Sequence, residues 1–361
     1  MTTSPRNVVT ADEFAGRLFA SALATAETMS VYLGDRLGWY ATLVEHGPLT
    51  PDELAEHSDT HPRYAQEWVE MQAAFGILDA DLGADPVRFS ISPGVAEVLT
   101  DTSSLSFLGT LPQMFAASFT HLPELLDAYR TGGGVSWERL GVDARESQAG
   151  MNRPWFDRQL APALAGVEHL HSRLSRPGAR IADIGFGGGH STVALANAYP
   201  EATFVGLDID AESVEMARRT ASDAGVADRV EFLLADGADA SARGPFDAAF
   251  AFECLHDMPR PVEVLSAARA SLAPGGSMVV MDEAVSDEFA GPAEDLDKIM
   301  YGFSLFVCLP DSMSSPPSAA TGTVMRRSTL TSYAREAGFT RVDVLPIEDF
   351  SFFRFYELVT H

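Results

Sequence analysis

Residues 180–190 read RIADIGFGGGH, and residues 203–208 read TFVGLD. The first is a short apolar run that ends in a glycine-rich turn. Glycine accepts a positive φ at little cost and lets a backbone approach a ligand closely. The chain turns helical from His190 to Tyr199, and TFVGLD is a second strand. Strand, glycine turn, helix and strand make one parallel crossover unit. The alternation continues through VEFLLAD (230–236), DAAFAFE (247–253) and SMVVMDE (277–283), with helical stretches at Ala211–Ala224 and Pro261–Leu272. TRVDVLPIEDFSFFRFYELV (340–359) adds two strands, and their short connection favours an antiparallel pair. The pattern predicts an α/β domain over residues 170–361: a doubly wound, mostly parallel seven-stranded sheet with helices on both faces.

Toward the N-terminus the chain changes character. Thr50-Pro51-Asp52-Glu53 combines a capping residue, a proline at the first helical position and an acid at the third. Thr60-His61-Pro62 opens another helix that runs through Phe75. GILDAD (76–81) and VRFSIS (87–92), joined by Gly83-Ala84-Asp85-Pro86, read as a hairpin. Helices followed by a hairpin spell a winged helix, expected over residues 1–105. The helix that would enter a DNA groove sets Arg63 against Glu67 and Glu70. A groove reader brings net positive charge, so a dimerisation module fits better. Residues 106–169 read as a helical linker and substrate-side segment, broken at Gly132-Gly133-Gly134. Residues 288–325 read as a lid insertion within the 170–361 domain.

Charge and composition narrow the partners. With 361 residues, 46% of them hydrophobic, the chain can bury the cores of two domains. A formal net charge of −26 repels phosphate, which argues against nucleic acid and anionic membranes. No run of about 18 apolar residues is present to span a bilayer. Cys254 and Cys308 make no disulfide framework, and residues 1–14 lack a basic start followed by an apolar run. A cytoplasmic location is therefore expected. His57 with His61, and His169 with His171, lack a third ligand, so no metal is expected.

The chemistry-bearing residues fall at strand ends. Asp183 and the glycine turn stand where backbone amides at a helix start face a ligand. Asp208 closes the second strand, where a carboxylate can accept from both hydroxyls of a ribose. A nicotinamide dinucleotide would use the same acid, but its fingerprint needs a small residue where His190 stands. Asp236-Gly237 closes the third strand, and its acid can accept from an adenine amino group. FECLHDMPRP (252–261) follows the fourth strand, at the carboxyl end where ligands of open sheets sit. His256, with an ordinary pKa of about 6.5, is placed either to take a proton from a substrate hydroxyl or to cap a helix.

DIGFGGG, GLDID and LADG, in that order, resemble the cofactor segments of class I S-adenosylmethionine-dependent methyltransferases, whose fold is Rossmann-like. The resemblance implies that S-adenosyl-L-methionine is bound and S-adenosyl-L-homocysteine released. The residues implied are Asp183, Gly185, Phe186, Gly187, Gly189, Asp208, Ile209, Asp236, Gly237 and Glu253. Among them the glycine turn and Asp183 would hold the methionine portion, Asp208 the ribose and Asp236 the adenine. Leu255-His256-Asp257 resembles the catalytic segment of small-molecule O-methyltransferases of plants and actinomycetes, which also carry a winged-helix dimerisation domain. That implies His256 as general base, Glu283 as the acid after the fifth strand, a small-molecule acceptor and a homodimer formed through the N-terminal domain. Two places depart from the pattern. Met258 stands where tryptophan is common, and Gly322–Thr331 contains no second acid.

Two aromatic stretches either line an acceptor pocket or pack in the core. One holds Arg153, Trp155 and Phe156; the other is MYGFSLFVCLP (300–310), with Tyr301 and Phe303. The alternatives to O-methylation are N- or C-methylation, a cofactor-binding regulatory or scaffold protein that transfers no methyl, and a nicotinamide oxidoreductase.

Overall fold

The structure is a computed structural model and describes residues 9–360. Residues 1–8, part of the stretch read as lacking a leader, lie outside it. The chain divides into two compact units, residues 1–116 and 117–361.

The first unit runs α1 (Ala11–Arg36), α2 (Trp39–His46), α3 (Pro51–His57), α4 (Pro62–Ala74), β1 (Leu78–Asp81), β2 (Arg88–Ile91) and α5 (Pro93–Thr100). The capping box expected at α3 forms: Thr50 Oγ1 accepts the Glu53 N–H at 3.2 Å, and Glu53 accepts the Thr50 N–H at 2.8 Å. β1 and β2 pair antiparallel, Leu78 opposite Ile91, and Leu49 bridges to Phe89. Trp39, Tyr40, Leu43, Leu54, Trp68 and Phe89 fill the core. Gln72 is fully buried there, and its amide is satisfied by the Tyr40 hydroxyl and Ser30.

Helix α6 (Leu111–Thr120) spans the boundary between the units. The second unit continues with α7 (Leu122–Thr131), α8 (Trp137–Trp155), α9 (Ala161–Ala165) and α10 (Glu168–Leu174). Then come β3 (Arg180–Ile184), α11 (His190–Ala198), β4 (Thr203–Asp208), α12 (Ala211–Asp223), β5 (Val230–Leu234), β6 (Phe246–Phe252), α13 (Pro261–Ser271) and β7 (Leu272–Glu283). After α14 (Asp295–Phe303), α15 (Leu309–Met313) and α16 (Arg327–Glu336), β8 (Arg341–Val344) and β9 (Phe353–Val359) close the chain.

The seven strands lie in the order β5-β4-β3-β6-β7-β9-β8. β3 to β7 run parallel, β9 lies antiparallel to β7, and β8 pairs antiparallel with β9. Every residue of β6, FDAAFAF, is buried, as a central strand covered on both faces requires. One apolar layer packs α10, α11 and α12 on the sheet, and a second packs α13 and α16 on the other face. This is the doubly wound α/β fold expected from the strand pattern.

Two helices carry a π turn, at Phe156–Leu160 and Ser304–Cys308. Each is followed two residues later by a proline, Pro162 or Pro310, which lacks an N–H and crowds the preceding turn. Among the described residues no helix is long and apolar enough to cross a membrane.

Candidate active site

β4 and β6 flank β3 on opposite sides, so the strand order reverses at β3. Ligands of open parallel sheets bind in the crevice at such a point, beyond the carboxyl ends of the strands. The glycine turn sits there. Gly185 has φ +70°, and a Cβ on it would lie 2.7 Å from the Cys254 sulfur. At Gly187 a Cβ would meet nothing within 4 Å, so the outer face of the turn is open.

Asp183 is wholly buried. Its Oδ2 accepts from Ser191 at 2.7 Å and Thr192 at 2.6 Å, while its Oδ1 has no partner. Burial drives this carboxyl up to about 6 against those two hydrogen bonds. Asp208 ties loops together. Its Oδ2 accepts the Gly187 N–H and its Oδ1 the Asp210 N–H, both at 2.9 Å. Burial raises its pKa as well. Asp210 caps α12 through Ser213 and takes a two-pronged bond from Arg145 of α8 at 2.6 and 2.7 Å. Arg145, Asp210, Asp208 and Gly187 thus form one polar chain along the crevice.

The other expected cofactor residues are distributed more variously. Ile209 is exposed. Asp236 accepts from the Ala238 N–H and pairs with Arg260 at 3.2 Å. Gly237 packs so close to Ile184 and Val264 that a Cβ would not fit. Gly189 caps α11 in the left-handed region. Phe186 turns its ring into the core against Phe232, with centroids 4.5 Å apart, and leaves only its backbone to the crevice.

His256 lies on the far side, 1% exposed. Both oxygens of Asp282 stand 3.1 Å from its Nδ1, and Glu283 Oε2 is 3.4 Å from the same atom. Asp257 Oδ1 is 3.4 Å from Nε2. Burial opposes a charge on the ring, but Asp257, Glu283 and Asp282 outweigh it and hold the imidazole well above its ordinary value. The ordinary value of about 6.5 assumed from sequence therefore does not hold. Glu283 moves the same way, driven up by burial and by the neighbouring Asp282 and Glu253. Glu253 has a left-handed backbone, φ +51°, and accepts from the Asn152 amide. Burial raises it to about 7.

The aromatic stretches turn mostly inward. Phe156 packs in the core against Phe252, and Trp155 lies against Phe350. Arg153 is exposed and pairs with Asp157. Phe303 is half-buried, and the exposed Tyr301 accepts from Arg326 at 3.1 Å. The insertion is anchored by the Gly132–Gly134 region. Gly134 approaches the Pro310 carbonyl too closely for any Cβ, the Val135 N–H donates to that oxygen, and Asp311 accepts the Trp137 N–H at 2.7 Å.

Sequence reasoning missed Asp282, Asn152 and the Arg145–Asp210 pair. Asp282 stands next to the acid that was singled out, so adjacency was the one available signal.

Residues 175–311 match a family model described as a methyltransferase domain. The chain is 33% identical over 159 residues to 27-O-demethylrifamycin SV methyltransferase of Amycolatopsis mediterranei, covering 41% of this chain and 57% of that one. The matched stretch thus spans little more than half of that relative. Acetylserotonin O-methyltransferase of Mus musculus is 28% identical over 264 residues, covering 69% of this chain and 68% of that protein. Human N-acetylserotonin methyltransferase, solved in complex with SAM, superposes with a TM-score of 0.65 at 18% identity, covering 99% of both chains. That likeness shows the shared fold.

Proposed function

We propose, from the methyltransferase domain that residues 175–311 carry, that the protein transfers a methyl group from S-adenosyl-L-methionine to an oxygen of a small molecule. The observation that carries the reading is the pairing of an open glycine turn, tied down by Asp208, with a buried His256–Asp282 pair across the same crevice. The charge fits the cofactor. Asp183 Oδ1 is buried without a hydrogen-bond partner, and Asp257 and Glu283 crowd the single imidazole of His256; a site this rich in carboxyls suits a cationic sulfonium better than a pyrophosphate.

The glycine turn and Asp183 would hold the methionine portion, Asp208 the ribose and Asp236 the adenine. When bound, the cofactor supplies an electrophilic methyl carbon with a neutral thioether as leaving group. The protein's part is to align an acceptor with that carbon and to take its proton. Alignment supplies most of the acceleration in such reactions. Asp282 accepts Nδ1–H of His256, which leaves Nε2 as the basic atom for an acceptor hydroxyl. Glu283 adds its charge to the same ring.

The residue types support three further readings. The α1 face carries exposed Phe14, Leu18, Phe19 and Leu23, and a second copy of the chain would cover it in a homodimer. Arg63 on α4 is paired with Glu67, which disfavours nucleic acid. Cys254 and Cys308 are free thiols, in keeping with a reducing cytoplasm. The test is a screen of phenolic metabolites with labelled S-adenosyl-L-methionine. Label appearing in an acceptor with wild-type protein, and lost with His256→Ala, supports the reading; equal transfer by both proteins removes His256 from it.

A further inference from the structure

Glu253 stands between the two halves of the crevice. Its neighbour Cys254 packs on Gly185 and donates to the Ile184 carbonyl at 3.1 Å, and His256 follows two residues later. The left-handed backbone is strained for a side chain of this size, and such strain persists where the surroundings fix it. The half-buried carboxyl is gripped from α8 by the amides of Asn152 and Gln148. It faces His256 on its own loop and Asp282 and Glu283 on β7. Asp183, at the end of β3, faces the adjoining Cys254. Glu283 Oε2 and Asp257 Oδ1 each lie 3.4 Å from a ring nitrogen of His256, so one imidazole serves them both, while the buried Asp183 Oδ1 has no partner. A buried oxygen of that kind calls for a group to answer it. With several carboxyls and one imidazole, this end of the crevice suits a cation.

We propose that Glu253, fixed by Asn152, is a specificity-determining residue that reads the charge of the methyl donor and favours a sulfonium over the neutral thioether left after transfer. The inference rests on the cofactor reading above. The two molecules differ by one methyl and one positive charge. An ionised carboxylate nearby lowers the free energy of the cation alone. Transfer of the methyl abolishes that attraction and so assists release of the product.

The discrimination depends on pH. Burial raises Glu253 to about 7 against the two amide bonds, so it is neutral below that value and charged above it. Sulfonium affinity therefore rises through neutrality, while thioether affinity does not follow this group. Asp183, at about 6, and Asp311, at about 7, titrate in the same range, so a variant must assign the effect.

Calorimetric titration of the full chain with S-adenosyl-L-methionine and S-adenosyl-L-homocysteine, from about pH 6 to pH 8, tests this in wild type, Glu253→Gln and Asn152→Leu. The wild-type ratio of the two affinities is expected to climb about tenfold across the range. In Glu253→Gln it stays flat. In Asn152→Leu the climb moves to higher pH, because loss of a donor to the ionised carboxylate raises Glu253 further; this variant reads the proposal even where Glu253→Gln does not fold. A flat wild-type ratio, or a Glu253→Gln ratio that climbs like wild type, overturns the assignment while leaving the cofactor reading intact. Failure of wild type to bind either ligand overturns the cofactor reading itself.

Discussion

Both carboxylate oxygens of Asp282 lie 3.1 Å from Nδ1 of His256, and both residues are 1% exposed. In the proposed reaction that contact would place the proton on Nδ1 and leave Nε2 to act as the base. His256→Ala is expected to lower turnover by ~10²–10⁴-fold while leaving cofactor affinity nearly unchanged. Asp282→Asn places an amide beside Nδ1 and is expected to cost ~10²-fold in kcat, with a smaller change in acceptor KM. Steady-state kinetics on the best acceptor from the labelled-methyl screen measures both. Unaltered kcat in the two variants would return His256 to packing.

The carboxyls around His256 have a consequence for pH. They hold the ring charged at neutrality against the opposing effect of burial, and a base must first lose that proton. The rate is therefore expected to rise with pH and to go on rising well above about pH 6.5. The limb should vanish in His256→Ala. A wild-type pH–rate profile whose acidic limb ends at or below the ordinary histidine value would contradict the electrostatics of the cluster.

Arg145 and Asp210 form a buried two-pronged ion pair, 8% and 9% exposed at the side chains. Burial pushes Asp210 up, but the bonds from Arg145 and Ser213 prevail and hold it below the ordinary carboxylate range. Its stabilisation is present above that ordinary range and fades as pH falls through the lowered value. Removing one partner of such a pair leaves an uncompensated buried charge. Arg145→Ala is expected to destabilise by about 3–5 kcal/mol and to weaken cofactor binding by loosening the Asp208 loop. Denaturant unfolding and calorimetry read the two effects; an unchanged unfolding midpoint would mean water replaces the guanidinium.

The polar chain and the cluster around His256 were only partly legible in the sequence. Glycines at a strand end and acids closing β4 and β5 carry local signals, so the sheet, the turn and the places of Asp183, Asp208 and Asp236 could be read. The Thr50–Glu53 cap was legible for the same reason, since its partners lie three residues apart. Asn152 with Glu253, and Arg145 with Asp210, lie 101 and 65 residues apart, and no local pattern marks such a pair. Asp282 and Glu283 are adjacent on a strand, where successive side chains point to opposite faces. Both nonetheless reach Nδ1 of His256, because the strand ends there and frees Glu283 to turn toward the ring. Phe186 read as a loop residue, yet the space over Gly206 draws its ring into the core.

The exposed apolar residues of α1 set a prediction about assembly. The proposed homodimer would cover Leu18 and Phe19, which are 61% and 67% exposed in the single chain. Leu18→Glu with Phe19→Glu is expected to halve the mass measured by light scattering while leaving the fold of each unit intact. A wild-type protein already at monomer mass would exclude this interface.

The most direct measurement is a calorimetric titration of the purified protein with S-adenosyl-L-methionine, with NAD as control and Asp208→Ala as the paired variant. The expected result is binding of S-adenosyl-L-methionine by wild type, none of NAD, and affinity weakened about 10- to 100-fold in Asp208→Ala as charge-assisted hydrogen bonds are lost. Binding of NAD alone, or of neither ligand, would contradict the methyl-transfer account, and equal affinity in the variant would contradict the place given to the ribose.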